Sequence, residues 1–199
     1  MAEQKPFIPY ADRAGVPEKL RAPLEAYEKR MGFMPNALKL YMHRPELLGC
    51  LVNLNNTVMR DESSQLDVGL KRRISAICSF LNKSAYCLAH NTNTLMAQDS
   101  SVNEGWNFSE EDVAMLLSAS YAPKDPAEKA AIEYAKAASS DHSNVPQSVL
   151  ENLAATMTPP EIIELACVVG FWAMYNSIHE ALHIPIEDEL VGRACFLEP

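Results

Sequence analysis

A thiol, an imidazole and several further polar side chains fall within eleven residues, Leu81-Asn82-Lys83-Ser84-Ala85-Tyr86-Cys87-Leu88-Ala89-His90-Asn91. Cys87 and His90 are three positions apart, so on one helix they share a face. Ser84, three before Cys87, would sit at the start of that helix. There its hydroxyl can cap free backbone N–H groups, and the helix dipole favours a thiolate nearby. A sulfur nucleophile beside a helix start and a base is an arrangement for covalent or redox chemistry. The plainer alternative is a buried, inert cysteine with a satisfied histidine on a core-facing stripe; exposure and thiol pKa separate the two.

A second pattern is His179-Glu180-Ala181-Leu182-His183. It fits His-Glu-x-x-His, in which two imidazoles at i and i+4 bind zinc and the glutamate acts as base. Pro185 follows almost at once, and Glu187 and Glu189 are the nearby candidates for a third ligand. The expected reading is no resident metal, with His179 and His183 as the remote zinc alternative. His43 and His142 read as surface or loop residues.

The elements that must position these groups read as helices throughout. Residues 1–16 form an extended arm. Glu18 to Arg30 is helical, with Pro23 as a kink or restart and Gly32 as its stop. A short helix covers Asn36 to Met42, and another runs from Pro45 to about Arg60 on an apolar face of Leu47, Leu48, Leu51, Leu54 and Val58. Ser64-x-x-Asp67 resembles a helix start, and the pattern from Leu66 to Leu81 carries one stripe (Leu70, Ile74, Ile77, Cys78, Leu81) with Lys71, Arg72 and Arg73 mostly elsewhere. A break at Asn82–Ser84 leads into the Cys87 helix, expected to end near Gln98, with loop at Asn103–Asn107. Further helices start at Ser109-x-x-Asp112 (to about Tyr121), at Glu128 (to Ala138) and at Pro146 (to Ala155). Thr158-x-x-Glu161 opens a last, largely apolar helix to about His183, expected to be central. The fold class is all-α, with about nine to ten helices in a single domain.

Composition narrows the function classes. The 199 residues carry 48% hydrophobic and 22% charged side chains, an ordinary globular balance. A net charge of −9 and a pI near 5.0 argue against a nucleic-acid-binding face. No unbroken apolar run of membrane-spanning length occurs, and Met1-Ala-Glu-Gln-Lys-Pro lacks the apolar core of a signal peptide. Five scattered cysteines (Cys50, Cys78, Cys87, Cys167, Cys195) do not read as a disulfide framework. A reducing, cytoplasmic setting is the expectation.

In order and spacing, several segments resemble the carboxymuconolactone decarboxylase / alkylhydroperoxidase D (AhpD-like) superfamily, in its peroxidase-related branch. They are Gly32-Phe33-Met34-Pro35-Asn36 with Arg44-Pro45-Glu46-Leu47, Ser79 through Cys87, Ala131-Ile132-Glu133-Tyr134-Ala135, and Phe171-Trp172-Ala173-Met174-Tyr175-Asn176 with Ile184-Pro185. The resemblance implies an AhpD-like helical domain, a homo-oligomer and a peroxidase-like, antioxidant oxidoreductase needing no cofactor. It also accounts for the His179–His183 segment as the end of a packed helix. The redox members carry Cys-x-x-Cys, a downstream His and an upstream Glu. Here those positions are Ser84 and Cys87, Asn91, and Arg72, so an internal Cys-x-x-Cys disulfide cannot form.

The reading that follows is a single-thiol enzyme: Cys87 attacks a hydroperoxide, with His90 as base or orienting group and Ser84 at the helix start. Tyr86, Asn91 and Arg72 are supporting candidates, with a solvated helix face as the plain reading of Arg72. Cys78 or an external thiol would resolve the oxidised sulfur. The alternative keeps the fold and drops redox chemistry. It is a decarboxylase-like acid–base enzyme, or a non-catalytic protein holding a small carboxylated ligand.

Overall fold

The structure, a computed structural model, describes residues 6–97, 106–193 and 195–197. Among these residues the chain forms nine α-helices and no strand: α1 (Glu18–Met31), α2 (Asn36–Tyr41), α3 (Pro45–Arg60), α4 (Val68–Leu81), α5 (Ala85–Met96), α6 (Glu110–Leu117), α7 (Pro126–Ser140), α8 (Gln147–Thr156) and α9 (Pro159–Ala181). Short 3-10 turns lie at Arg13–Gly15, Asp188–Leu190 and Cys195–Leu197. The all-α expectation is met. Gln98, most of the Asn103–Asn107 loop and the first five residues of the arm lie outside the described residues.

Local chemistry sets the boundaries. Gly32 stops α1 at φ 81°, a left-handed conformation that glycine adopts without strain. Pro23 lies inside α1 without ending it. The carbonyl that loses its partner there belongs to Lys19, in the exposed first turn. Ser109 with Asp112 and Thr158 with Glu161 form capping boxes for α6 and α9. Asp67 caps α4 by accepting from the Leu70 N–H at 2.8 Å. Ser64, read as part of that helix start, instead donates its hydroxyl to Glu164 on α9. α6 ends at Leu117, short of Tyr121, where the Ser118 hydroxyl bonds the Met115 carbonyl at 2.7 Å and competes with the next helical turn.

The centre of the molecule is α4 rather than the last helix. Every residue from Gly69 to Ser79 is buried, the three basic ones included. Lys71, Arg72 and Arg73 are therefore not a solvated face. Lys71 Nζ donates to the Val58 carbonyl at 2.9 Å and meets Glu164 at 3.1 Å. Arg73 Nε lies 2.6 Å from Glu128, which also accepts from the Tyr121 hydroxyl and the Lys124 N–H. Fixed carboxylates on α7 and α9 compensate the cost of burying these cations.

α4 packs against α5, α7 and α9. α9 turns Leu165, Val168, Trp172, Asn176 and His179 inward and leaves Ile163, Gly170 and Ala173 exposed. By length and composition alone α9 would be apolar enough to cross a bilayer. In this fold its inner face is part of the protein core.

Candidate functional site

α5 begins after Lys83, which sits in a left-handed conformation at φ 55°. Ser84 is its N-cap, with Oγ accepting from the Cys87 N–H at 3.4 Å. The cap sets Cys87 in the first turn, 1% exposed, facing α9. There Cys87 Sγ lies 3.0 Å from His179 Nδ1, and His179 Nε2 lies 2.7 Å from the Tyr41 hydroxyl on α2. Burial pushes the Cys87 thiol up to about 12, the Ser84 hydroxyl pulls the other way, and Glu180 adds to the rise. Burial and the neighbouring His90 bring the His179 imidazole down to about 3. At neutral pH the pair is thus uncharged. In a neutral imidazole one ring nitrogen donates and the other accepts, so the ring links the thiol to the Tyr41 hydroxyl in a single chain of hydrogen bonds.

A second network stands beside the first. Glu187, just beyond α9, accepts from the Tyr86 hydroxyl at 2.8 Å and from the Asn36 N–H at 2.5 Å, and His90 Nε2 meets its other oxygen at 2.8 Å. Burial would raise the Glu187 carboxyl, but His90 and these donors hold it below its ordinary value. The Tyr86 oxygen accepts the Ala37 N–H at 3.0 Å, so the start of α2 is seated on the same group of side chains. The Tyr86 ring packs between the two imidazoles, 4.6 Å from His90 and 5.0 Å from His179.

Both networks border one cavity of about 70 Å³. Cys87, His90 and His179 line it together with aromatic walls from Tyr41, Trp172 and Tyr175. No Lys, Arg, Asp or Glu is among its lining residues. A larger groove of about 780 Å³ between α7 and α9 contains no cysteine in its wall.

The residues singled out in the sequence divide accordingly. Cys87, His90 and Tyr86 meet at the cavity. His90 is paired with Glu187, and the imidazole bonded to the thiol is His179. Ser84 caps α5 and donates to Glu180 at 3.0 Å without lining the cavity. Asn91 is buried beneath, bonding the Ser75 carbonyl and the Ser79 hydroxyl. Arg72 is buried on α4 and does not line the cavity, so it presents no guanidinium there to a carboxylate. Cys78 accepts from Ser139 Oγ at 3.4 Å on the α7 side, its thiol raised by burial to about 11, and does not line the cavity either.

The zinc pattern does not form. α9 ends at Ala181, and His183 is exposed in a left-handed conformation at φ 49°. Both ring nitrogens of His179 are engaged by Cys87 and Tyr41. No group of three His, Cys, Asp or Glu suited to a metal occurs among the described residues. His179 as the thiol's partner, Tyr41 behind it and Glu187 behind His90 were not read from the sequence in these positions. One signal was available: His179 continues the inward face of Trp172, Tyr175 and Asn176, where a polar residue needs a partner.

No family model and no curated protein matches the chain. Solved structures do. It is similar to an uncharacterized peroxidase-related protein from Silicibacter sp. TM1040, at 23% identity and a TM-score of 0.77, covering 94% of this chain and 93% of that one. It is also similar to the debrominase Bmp8, whose cysteine-to-alanine variant was solved in complex with 2,3,4-tribromopyrrole; identity is 21%, TM-score 0.75, coverage 95% and 96%. An uncharacterized peroxidase-related protein with an alkylhydroperoxidase AhpD core, from Ralstonia eutropha JMP134, shares 18% identity at a TM-score of 0.64, with coverage of 95% and 96%. The described residues thus carry the AhpD-like all-α fold of the peroxidase-related proteins.

Proposed function

We propose that the protein is a single-thiol oxidoreductase that reduces small neutral hydroperoxides through Cys87, with His179 as its base. The observation that carries this reading is the 3.0 Å contact between Cys87 Sγ and His179 Nδ1 at the wall of a small, aromatic-lined cavity. Burial and a raised thiol pKa are features of the inert reading of Cys87. What supports reactivity against them is the imidazole in contact with the sulfur, which can take the thiol proton as an electrophile is attacked. The sulfur bonds the terminal peroxide oxygen, the O–O bond breaks, and the thiol proton passes by way of His179 to the departing alkoxide. The products are Cys87 sulfenic acid and an alcohol. An external thiol then condenses with the sulfenic acid, releasing water, and a second one frees Cys87 as the thiol and leaves as a disulfide. Cys78, away from the cavity, is not needed.

The test is mass spectrometry after one equivalent of tert-butyl hydroperoxide with a sulfenic-acid trap present. Wild type is expected to carry the adduct on residue 87. Cys87→Ser should lose peroxide consumption, and His179→Gln should slow it by about 10²-fold. Persistence of peroxide with an unlabelled Cys87 sinks the reading.

The aromatic, uncharged lining favours a second reading, reductive dehalogenation of a small halogenated heteroaromatic. In that reaction two thiols and an aryl halide give the arene, a disulfide and hydrogen halide. Halide release from tribromopyrrole, with no sulfenic acid formed from hydroperoxide, would select it.

A further inference from the structure

The groove between α7 and α9 has a volume of about 780 Å³, within the range of ligand sites, and the chemistry of Cys87 does not use it. Its floor is the outer face of α9, where Ala166, Gly170, Ala173 and Ser177 recur at helical spacing. Packing within the chain does not call for the glycine. A Cβ on Gly170 would meet nothing within 4 Å, and glycine inside a helix costs about 0.5–1 kcal/mol relative to alanine. The open space is thus kept for something outside the fold.

Among the described residues the groove lining holds one carboxylate, Glu180, one imidazole, His142, and no Lys or Arg. Glu180 Oε1 accepts from the Ser84 hydroxyl at 3.0 Å, while Oε2 accepts no hydrogen bond and is accessible. No cation of the described residues pairs with this carboxylate. Its position adds to the imbalance. Glu180 is in the last turn of α9, where the helix dipole is negative and favours a positive charge. A cation is what this end of the groove lacks.

We propose that the groove between α7 and α9 binds an organic cation with a linear apolar chain, its charged end at Glu180 and its chain along Ala173 and Gly170. Ala166 to Glu180 spans about 21 Å of helix, so an alkyl chain of about eight carbons lies lengthwise along it. Tyr134 and Ala138 of α7 form the facing wall. An anion would meet Glu180 with no Lys or Arg to offset it, and a neutral alcohol leaves the carboxylate unpaired. The charged end is also two hydrogen bonds from the thiol, Ser84 to Glu180 and the Cys87 N–H to Ser84. The negative charge of Glu180 opposes ionisation of Cys87, so a cation bound there should make the sulfur more reactive.

The probes are n-octylamine and its neutral counterpart 1-octanol, titrated at neutral pH into the 15N-labelled full chain. Octylamine is expected to shift the amide signals of Gly170, Ala173 and Glu180. Glu180→Gln, which still offers Ser84 an acceptor, should weaken octylamine about 3- to 5-fold and leave octanol within about 2-fold. Gly170→Leu puts a side chain where only open space lies and should abolish octylamine binding. Iodoacetamide labelling, read at residue 87 by mass spectrometry, should rise about 2- to 5-fold with octylamine and not with octanol. Glu180→Gln should label faster without any amine and gain nothing from it. Absent shifts along the groove, equal octylamine affinity in Glu180→Gln, or unchanged labelling overturns the proposal. A chain that sediments as an oligomer, binds no amine and dissociates as Gly170→Leu also overturns it, since a second copy then fills the groove. Octylamine is not an oxidant, so the result stands apart from sulfenic trapping at Cys87.

Discussion

At the scale of single residues the site is a comparison of two histidines. His179 touches the sulfur, while His90 touches a carboxylate; their chemistry should part in the same way. His179→Gln is expected to slow Cys87 alkylation by iodoacetamide about 10²-fold at neutral pH, because the proton acceptor is gone. Tyr41→Phe keeps Nδ1 in place but leaves Nε2 without its hydrogen-bond partner. It should cost about 1–2 kcal/mol of stability and slow alkylation only several-fold, measured by denaturant melts and labelling kinetics. The sequence made Cys87, Tyr86 and the Ser84 cap legible, because a cap and its helix are local. It left the thiol's partner hidden, since His179 is 92 positions away and only the packing of α5 on α9 brings the two together.

Among the elements, α4 carries the most instructive strain. Its buried Lys71 and the carboxylate of Glu164 are not equivalent partners. Glu164→Ala leaves Lys71 with the Val58 carbonyl alone, in a site 2% exposed, and is expected to cost about 3 kcal/mol. Lys71→Met leaves Glu164 at the rim with Ser64 and the Gln65 and Leu66 N–H groups still bonded, for a loss of about 1 kcal/mol. Urea melts of the two variants give the order; equal losses would refute it. Gly69 is tight for another reason. A Cβ there would meet the Trp106 indole nitrogen at 2.8 Å and the Arg73 guanidinium at 3.3 Å. Gly69→Ala should destabilise by about 1–3 kcal/mol, seen as a lower Tm with a perturbed Trp106 fluorescence. Helix starts at Pro45, Ser109 and Thr158 could be read from the chain because caps are written in neighbouring residues. The buried basic run of α4 could not, since Lys and Arg occur mostly at surfaces and their compensating carboxylates lie on helices far along the chain.

For the whole molecule, the buried titratable groups set a pH window for stability. His179 binds its proton near 6.5 when unfolded but near 3 when folded, so protons favour the unfolded chain as pH falls through that interval. Glu187, also depressed in the fold, acts in the same direction at lower pH. Cys87 is the reverse case. Its thiol ionises near 9 when unfolded and near 12 when folded, so stability is present below 9 and is lost as pH rises toward 12. Tm against pH should therefore show a plateau from about 6.5 to 9 with a fall on each side. His179→Phe should weaken the acid limb, leaving the part carried by Glu187, and Cys87→Ala should weaken the alkaline one, leaving the part carried by Cys78, whose thiol burial raises to about 11. A wild-type acid limb that survives unchanged in the His179 variant would contradict this assignment.

The seating of Glu187 on the start of α2 also bears on how the cavity comes into being. Its bond to the Asn36 N–H spans 151 positions, and the Tyr41–His179 bond spans 138. Contacts of such separation carry the full loop-closure entropy of the chain and form late. During synthesis α1 to α8 can assemble around α4 while the cavity still lacks its far wall. The thiol of Cys87 meets its imidazole only when α9 docks, and the second network closes only after the segment bearing Glu187 has emerged. The Cys87 sulfur is thus shielded late, and substitutions at Glu187 should leave the folding rate unchanged and accelerate unfolding.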